Sequence, residues 1–144
     1  MHEQLREKFK DFWSQFEDIG GNKIKAYQTG YAVEVTSTGK IVEAKLPIIT
    51  YDLIHTNWFA GNIFNASLWT KSKAHPANFK LSDHFVNQLS KLIHETYGYV
   101  LEGIGGYWWI RRADNFIQYM QDPDDQTITR TIVTMTITNF NHLK

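Results

Sequence analysis

Apolar positions near the start of the chain recur with a helical period. Leu5, Phe9, Phe12, Trp13 and Phe16 are spaced 4, 3, 1 and 3 residues apart and form one stripe. Glu3, Arg6, Glu7, Lys10 and Asp11 fall mostly off that stripe. The spacing predicts an amphipathic helix over residues 2–19, stopped by Gly20-Gly21. A second stripe of Phe85, Leu89, Leu92 and Ile93 predicts a helix over Leu81–Tyr97. Ser82 is its expected N-cap, Asp83 complements the positive first turn, and Gly98 ends it.

Elsewhere the period is two. Tyr31, Val33 and Val35 alternate with Ala32, Glu34 and Thr36, and the turn Ser37-Thr38-Gly39-Lys40 lets Ile41–Lys45 pair back as a hairpin. Leu46–Ile54 reads as a strand with Pro47 at its start, where a missing N–H is tolerated. Ile63–Thr70 reads as another, reached through a loop at His55–Asn62. Lys71–Lys80 reads as a polar connector containing Pro76. Phe116–Gln121 and Thr127–Thr138 form strands about the turn Asp122-Pro123-Asp124-Asp125. On the last strand Ile128 and Ile132 have one parity, and Val133, Met135 and Ile137 the other. That switch predicts a bulge or twist near Ile132-Val133. Thr134, Thr136 and Thr138 face away from the apolar row, as in an antiparallel sheet covered on one side.

The element order predicts an α+β fold: a mostly antiparallel sheet of four to six strands with two main helices packed on one face. Residues 1–144 contain no repeat, low-complexity tract or linker and read as a single domain.

Composition narrows the function. The chain has no cysteine, which excludes disulfide frameworks, thiolate metal sites and cysteine nucleophiles and fits a reducing compartment. Lys and Arg total 15 against 15 Asp and Glu, so the net charge is zero. That argues against a protein that coats nucleic acid. The longest apolar run, Ala44–Tyr51, is short and broken by Lys45 and Pro47, so no membrane span is expected. The charged, amphipathic start does not read as a signal peptide. Aromatic residues (9 Phe, 7 Tyr, 5 Trp) make up 15% of the chain, a surplus suited to interfaces as well as to a core.

Catalytic patterns are not found. His2, His55, His75, His84, His94 and His142 form no i, i+3 or i, i+4 pair, so no metal site is expected. The Asp122, Asp124 and Asp125 cluster lacks the glycine and closing glutamate of a calcium loop and reads as a solvated turn. Gly103-Ile104-Gly105-Gly106 lacks the P-loop lysine and reads as a flexible lead-in to a strand. Gly-x-Ser-x-Gly does not occur. The expectation is a protein that is not an enzyme and takes no cofactor.

The conspicuous residues are instead Tyr107-Trp108-Trp109, Arg111-Arg112 and Trp58-Phe59. The plain reading of the arginines is a local ion pair with Asp114 or Glu102. Adjacent strand residues point to opposite faces, so Trp108 and Trp109 cannot both enter one core. Aromatics beside arginines have the character of interface hot spots. Trp58, Phe59, Tyr107, Trp108, Trp109, Arg111 and Arg112 are therefore the candidate interface residues.

Three segments together resemble the tail terminator (tail-completion or tail-to-head joining) proteins of long-tailed phages with non-contractile tails and of prophages. Leu46-Pro-Ile-Ile-Thr-Tyr-Asp-Leu53 is similar to the family's Pro-x-Ile-x-Tyr strand. Ala66-Ser-Leu-Trp-Thr-Lys-Ser72 is similar to its next strand. Arg111–Phe140, with Asn115-Phe-Ile-Gln-Tyr119 before the turn and Thr129-Arg-Thr-Ile-Val-Thr-Met-Thr-Ile137 after it, is similar to its closing hairpin. Both helices fall in the family's order, and the likeness is weakest over Asn22–Lys45. Tyr107–Arg112 departs from the family in being richer in aromatics.

The resemblance implies a structural virion protein of the tail, assembled in the bacterial host cytoplasm. It implies a homo-oligomeric ring, usually a hexamer, that caps the major tail-tube protein and stops polymerisation. It also implies docking to a head-completion or connector protein, with DNA passing through the lumen without specific binding. Zero net charge suits a lumen through which DNA must slide. Two other classes fit the residues. One is a pocket-forming α+β domain similar to nuclear transport factor 2, binding or converting a small molecule through groups such as His84 or Asp114. The other is a nucleic-acid module stacking bases on the tryptophans beside Arg111 and Arg112.

Overall fold

The computed structural model describes residues 2–28, 33–43, 45–52, 61–72, 75–103 and 106–141. The first helix, α1, spans His2–Trp13 and buries Leu5, Phe9, Phe12 and Trp13. It stops well short of Ile19. Beyond it the chain turns back on itself, with a bridge between Glu17 and Lys23 and a tight turn closed by the Asp18 N–H on the Asn22 carbonyl. Gly21, at φ 83°, serves that turn and not a helix cap. Phe16 stays buried because its ring stacks on Trp13 and meets Phe85 edge-on. The apolar stripe thus outlasts the helix, which is why the pattern overstated the helix length.

Strand β1 is Lys25–Gln28. A separate antiparallel pair follows, β2 (Val33–Val35) and β3 (Ile41–Glu43), which is the expected hairpin. Strand β4 is Ile48–Tyr51 and β5 is Gly61–Lys71. The second helix, α2, spans His75–Leu92, so the expected polar connector already contains its first turns. Pro76 lies in that first turn, where a missing N–H has no intrahelical partner to lose. Ser82 is therefore not an N-cap. It is fully buried mid-helix, and its hydroxyl oxygen accepts a 2.7 Å hydrogen bond from Thr131 Oγ1.

After α2 come β6 (Tyr99–Gly103), β7 (Gly106–Gln121) and β8 (Ile128–Asn141). Gly103 ends β6 and Gly106 opens β7, and Ile104 and Gly105 between them lie outside the described residues. Gly103 is pressed against Gln4 and Trp108, where an added Cβ would come within 2.6 Å of Gln4 Oε1. The six-stranded sheet has the order β1-β4-β5-β8-β7-β6. Only β1–β4 is a parallel pair; the other neighbours are antiparallel.

One buried cluster joins every layer. Ile49 and Tyr51, Phe64 to Leu68 on alternate positions, Val133, Met135 and Ile137, and Trp108 and Ile110 meet Phe9 and Trp13 of α1 and Phe85 and Leu89 of α2. Phe9 contacts the rings of Tyr51 and Phe64.

The long last strand carries no bulge. β8 pairs with β5 without a break from Ile128↔Lys71 to Thr138↔Gly61. Its buried row is 129, 131, 133, 135, 137 and 139 throughout, beginning with two threonines and ending on an asparagine. Polar members of a buried row hid its parity, and Ile128 and Ile132 belong to the half-exposed row. The irregularity lies across the ladder, in β7 between Arg112 and Ile117.

Candidate interface

The β6–β7 hairpin sets the candidate residues. Leu101 lies opposite Trp108, Val100 opposite Trp109 and Glu102 opposite Tyr107. Strand alternation then separates the adjacent tryptophans. Trp108 joins Leu101 and Ile110 in the core and is 2% exposed. Tyr107 and Trp109 turn to the other face, where Phe140 of β8 joins them. The Tyr107 and Phe140 rings stack at 5.0 Å, and Trp109 lies 6.2 Å from Phe140. The Arg111 guanidinium sits 4.3 Å from the centre of the Trp109 ring. Trp109 Nε1 donates to the Tyr97 carbonyl at 2.8 Å.

That anchor depends on the turn after α2. His94 Nδ1 accepts the N–H groups of Thr96 at 3.0 Å and Tyr97 at 3.1 Å. Gly98 takes φ 65° and runs so close to β7 that a Cβ would collide with the Ile110 carbonyl. Glycine is required there by both conformation and space.

Arg112 is turned the other way. Its Nε donates to the Ile93 carbonyl at 2.8 Å and its Nη2 to the Ser90 carbonyl at 3.0 Å. It thereby caps the C-terminal end of α2, where carbonyls lack partners and a cation is favoured. Its guanidinium also lies 4.8 Å from the Phe116 ring centre. Neither arginine is ion-paired with Asp114 or Glu102, whereas Lys23 pairs with Glu17 and Lys71 with Asp125.

The outer face carries a second cation–aromatic pair that the sequence reading missed. Arg130 lies opposite Trp69 and covers its ring at 4.7 Å. Trp69 Nε1 donates to Thr50 Oγ1 at 2.9 Å, and Arg130 Nε to Ser67 Oγ at 3.0 Å. Six residues of β8 separate Arg130 from Thr136, the neighbour of Arg111. The two clusters are therefore about 20 Å apart along the sheet. The signal for Arg130 and Phe140 was their shared parity with Thr134, Thr136 and Thr138.

Of the candidate set, Tyr107, Trp109 and Arg111 thus share one outer cluster. Trp108 and Arg112 belong to the inner side, and Trp58 and Phe59 lie outside the described residues. Two open hollows are lined by described residues. One of about 440 Å³ is bordered by Val100, Glu102, Gly103, Gly106 and Tyr107. The other, of about 280 Å³, is bordered by Ser14, Lys23, Ile24, Lys25, Ala26 and Tyr27. His84 and Asp114 line neither. Among the described residues no three His, Asp or Glu side chains gather as a metal site. The Asp122–Asp125 turn uses its carboxylates internally: Asp122 Oδ1 accepts the N–H groups of Asp124 and Asp125, and Asp125 Oδ1 accepts the N–H and hydroxyl of Thr127. Compared with models of known protein families and with curated proteins, the chain matches none.

Proposed function

We propose that this chain is the ring-forming subunit of a phage tail terminator, with α1 and α2 packed on one face of the six-stranded sheet. In this reading the ring, a hexamer, caps the tail-tube protein and halts its polymerisation. It then docks to a head-completion protein and lets DNA pass without specific binding. It works in the virion tail after assembly in the host cytoplasm and performs no catalysis. One observation carries the proposal. The three segments that resemble the family are dispersed along the chain, yet they supply β4, β5, β8 and β7, which are consecutive neighbours in one sheet. The common helix face is supported by two contacts on one row of side chains. Phe9 of α1 touches Phe64, Ser82 of α2 bonds Thr131, and Phe64 and Thr131 lie on the same side of the paired strands β5 and β8.

Light scattering behind size-exclusion chromatography tests the ring over a concentration series. A mass six times that of the 16.8 kDa chain is expected. The protein should also shorten tail tubes that polymerise in its presence, and its gene should lie just before a major tail protein gene. A strict monomer at high concentration that leaves tube length unchanged would end this reading.

A further inference from the structure

The turn between α2 and β6 is closed by two kinds of bond. The Gly98 N–H donates to the His94 carbonyl at 2.9 Å, and that bond involves backbone alone. The His94 ring supplies the other kind, because its Nδ1 accepts the N–H groups of both Thr96 and Tyr97. A ring nitrogen that accepts hydrogen bonds carries no proton. One added proton turns this acceptor into a donor facing two other donors, and both bonds are lost. His94 is exposed, so solvent protons reach its ring directly.

The ring thereby fixes the Tyr97 carbonyl, and that carbonyl accepts the Trp109 indole N–H at 2.8 Å. Trp109 lies under Arg111 and beside Phe140, which stacks on Tyr107. A chain of hydrogen bonds through Tyr97 thus links His94 to the outer aromatic cluster. The charged and titratable groups around the turn are Lys91, Glu95 and Tyr97 on its own stretch, Tyr99 of β6, and Arg111 and Arg112 of β7. The Tyr97 ring stacks on His94 at 4.8 Å, and the Arg111 side chain passes beside Gly98. Arg112 already holds the Ser90 and Ile93 carbonyls, which would otherwise favour a cation at the end of α2. Lys91 and the two arginines oppose a positive charge on the ring, and Glu95 favours one. Among the described residues none of them is ion-paired with His94.

We infer that His94 is a pH-sensitive clip on the outer aromatic cluster. With the ring neutral, the turn is closed and Trp109 is anchored. With the ring protonated, Thr96 and Tyr97 are released and Trp109 loses its fixed acceptor. The closed turn binds one proton fewer than the open one, so it is favoured at higher pH and lost as pH falls. Histidine is the side chain that ordinarily changes charge between about pH 5 and 8. The change is local, because the Gly98 bond to the His94 carbonyl does not involve the ring and Arg112 still holds the end of α2. The clip belongs to the single chain and stands apart from ring formation.

Nitrogen-edited NMR of the whole labelled chain, titrated from about pH 8 to about pH 5, tests it. The Thr96 and Tyr97 amides and the Trp109 indole should shift together, with the same midpoint as the His94 ring. Asparagine offers a short side-chain acceptor to amides two and three residues on and carries no titrating proton. His94→Asn should therefore hold the Trp109 indole at its high-pH position across the range. His94→Ala should leave it at its acid position throughout. An indole that stays fixed while the His94 ring titrates overturns the inference. So does an indole titration that survives in His94→Asn, which would assign it to another group such as Glu95. If neither variant folds, the wild-type titration decides: coincident midpoints support the clip, and separate ones overturn it.

Discussion

Arg111 and Arg112 are chain neighbours with different surroundings, because a strand sends successive side chains to opposite faces. Arg112 bonds two carbonyls at the end of α2, and Arg111 lies over an outward tryptophan. Arg112→Ala should lower stability by about 1.5–3 kcal/mol, the usual range for hydrogen bonds from a charged group. Arg112→Lys should recover part of that loss, and Arg111→Ala should cost no more than about 1 kcal/mol, as expected for an exposed cation–aromatic pair. Urea denaturation of the three variants checks the order, and equal losses for Arg111 and Arg112 would contradict it. Asp125 offers a test by pH. The Thr127 hydroxyl and N–H, and then Lys71, hold its carboxyl below the ordinary aspartate range. A depressed folded-state pKa gives a contribution present above the unfolded value and lost as pH falls through the folded value. The Thr127 amide resonance should therefore titrate below the ordinary aspartate range, and a midpoint at or above it would refute the pairing.

At the scale of elements, β8 holds the sheet together and shows how a buried row can be polar. Ser82 and Thr131 are both fully buried and bonded to each other. Ser82→Ala should cost about 1–3 kcal/mol, because it leaves the Thr131 hydroxyl buried without its partner. Adding Thr131→Val should recover part of the loss, since both polar groups are then gone. A double-mutant cycle measures this, and strict additivity would show that the bond does not couple the helix to the sheet. The same pair explains why the start of α2 and the parity of β8 differ from the pattern along the chain. A serine ahead of an apolar stripe resembles an N-cap, and alternating threonines resemble a solvent face. Neither pattern records that the two hydroxyls satisfy each other inside. The extra residues fall in β7, which runs from 112 to 117 while β8 runs from 135 to 133. Ala113–Phe116 carries no periodic cue that marks it as irregular.

For the whole molecule, the single buried cluster links α1, α2 and the sheet through aromatic contacts. Phe16 lies at the junction, against Phe12, Trp13 and Phe85. Phe16→Ala should cost about 3–5 kcal/mol, the range for a buried phenylalanine. Far-UV dichroism and tryptophan fluorescence should still give one coincident urea transition. Separate transitions would mean that the helices and the sheet unfold independently.

Local rules were enough for what periodicity and turn chemistry control. The buried stripes of both helices, the β2–β3 hairpin, the Asp122–Asp125 turn and the α+β class could all be read from neighbouring residues. Tertiary structure alone decided the rest. It ended α1 at Trp13, began α2 at His75, and turned Trp108 inward and Trp109 outward. It made edge strands of β1 and β6, whose short polar or glycine-bordered sequences carry no strand pattern of their own. It also brought Arg130 to Trp69 and Phe140 to Tyr107. These outcomes depend on partners distant in sequence: a row is buried or exposed according to what lies across the ladder, and an edge exists only once the strand order is set.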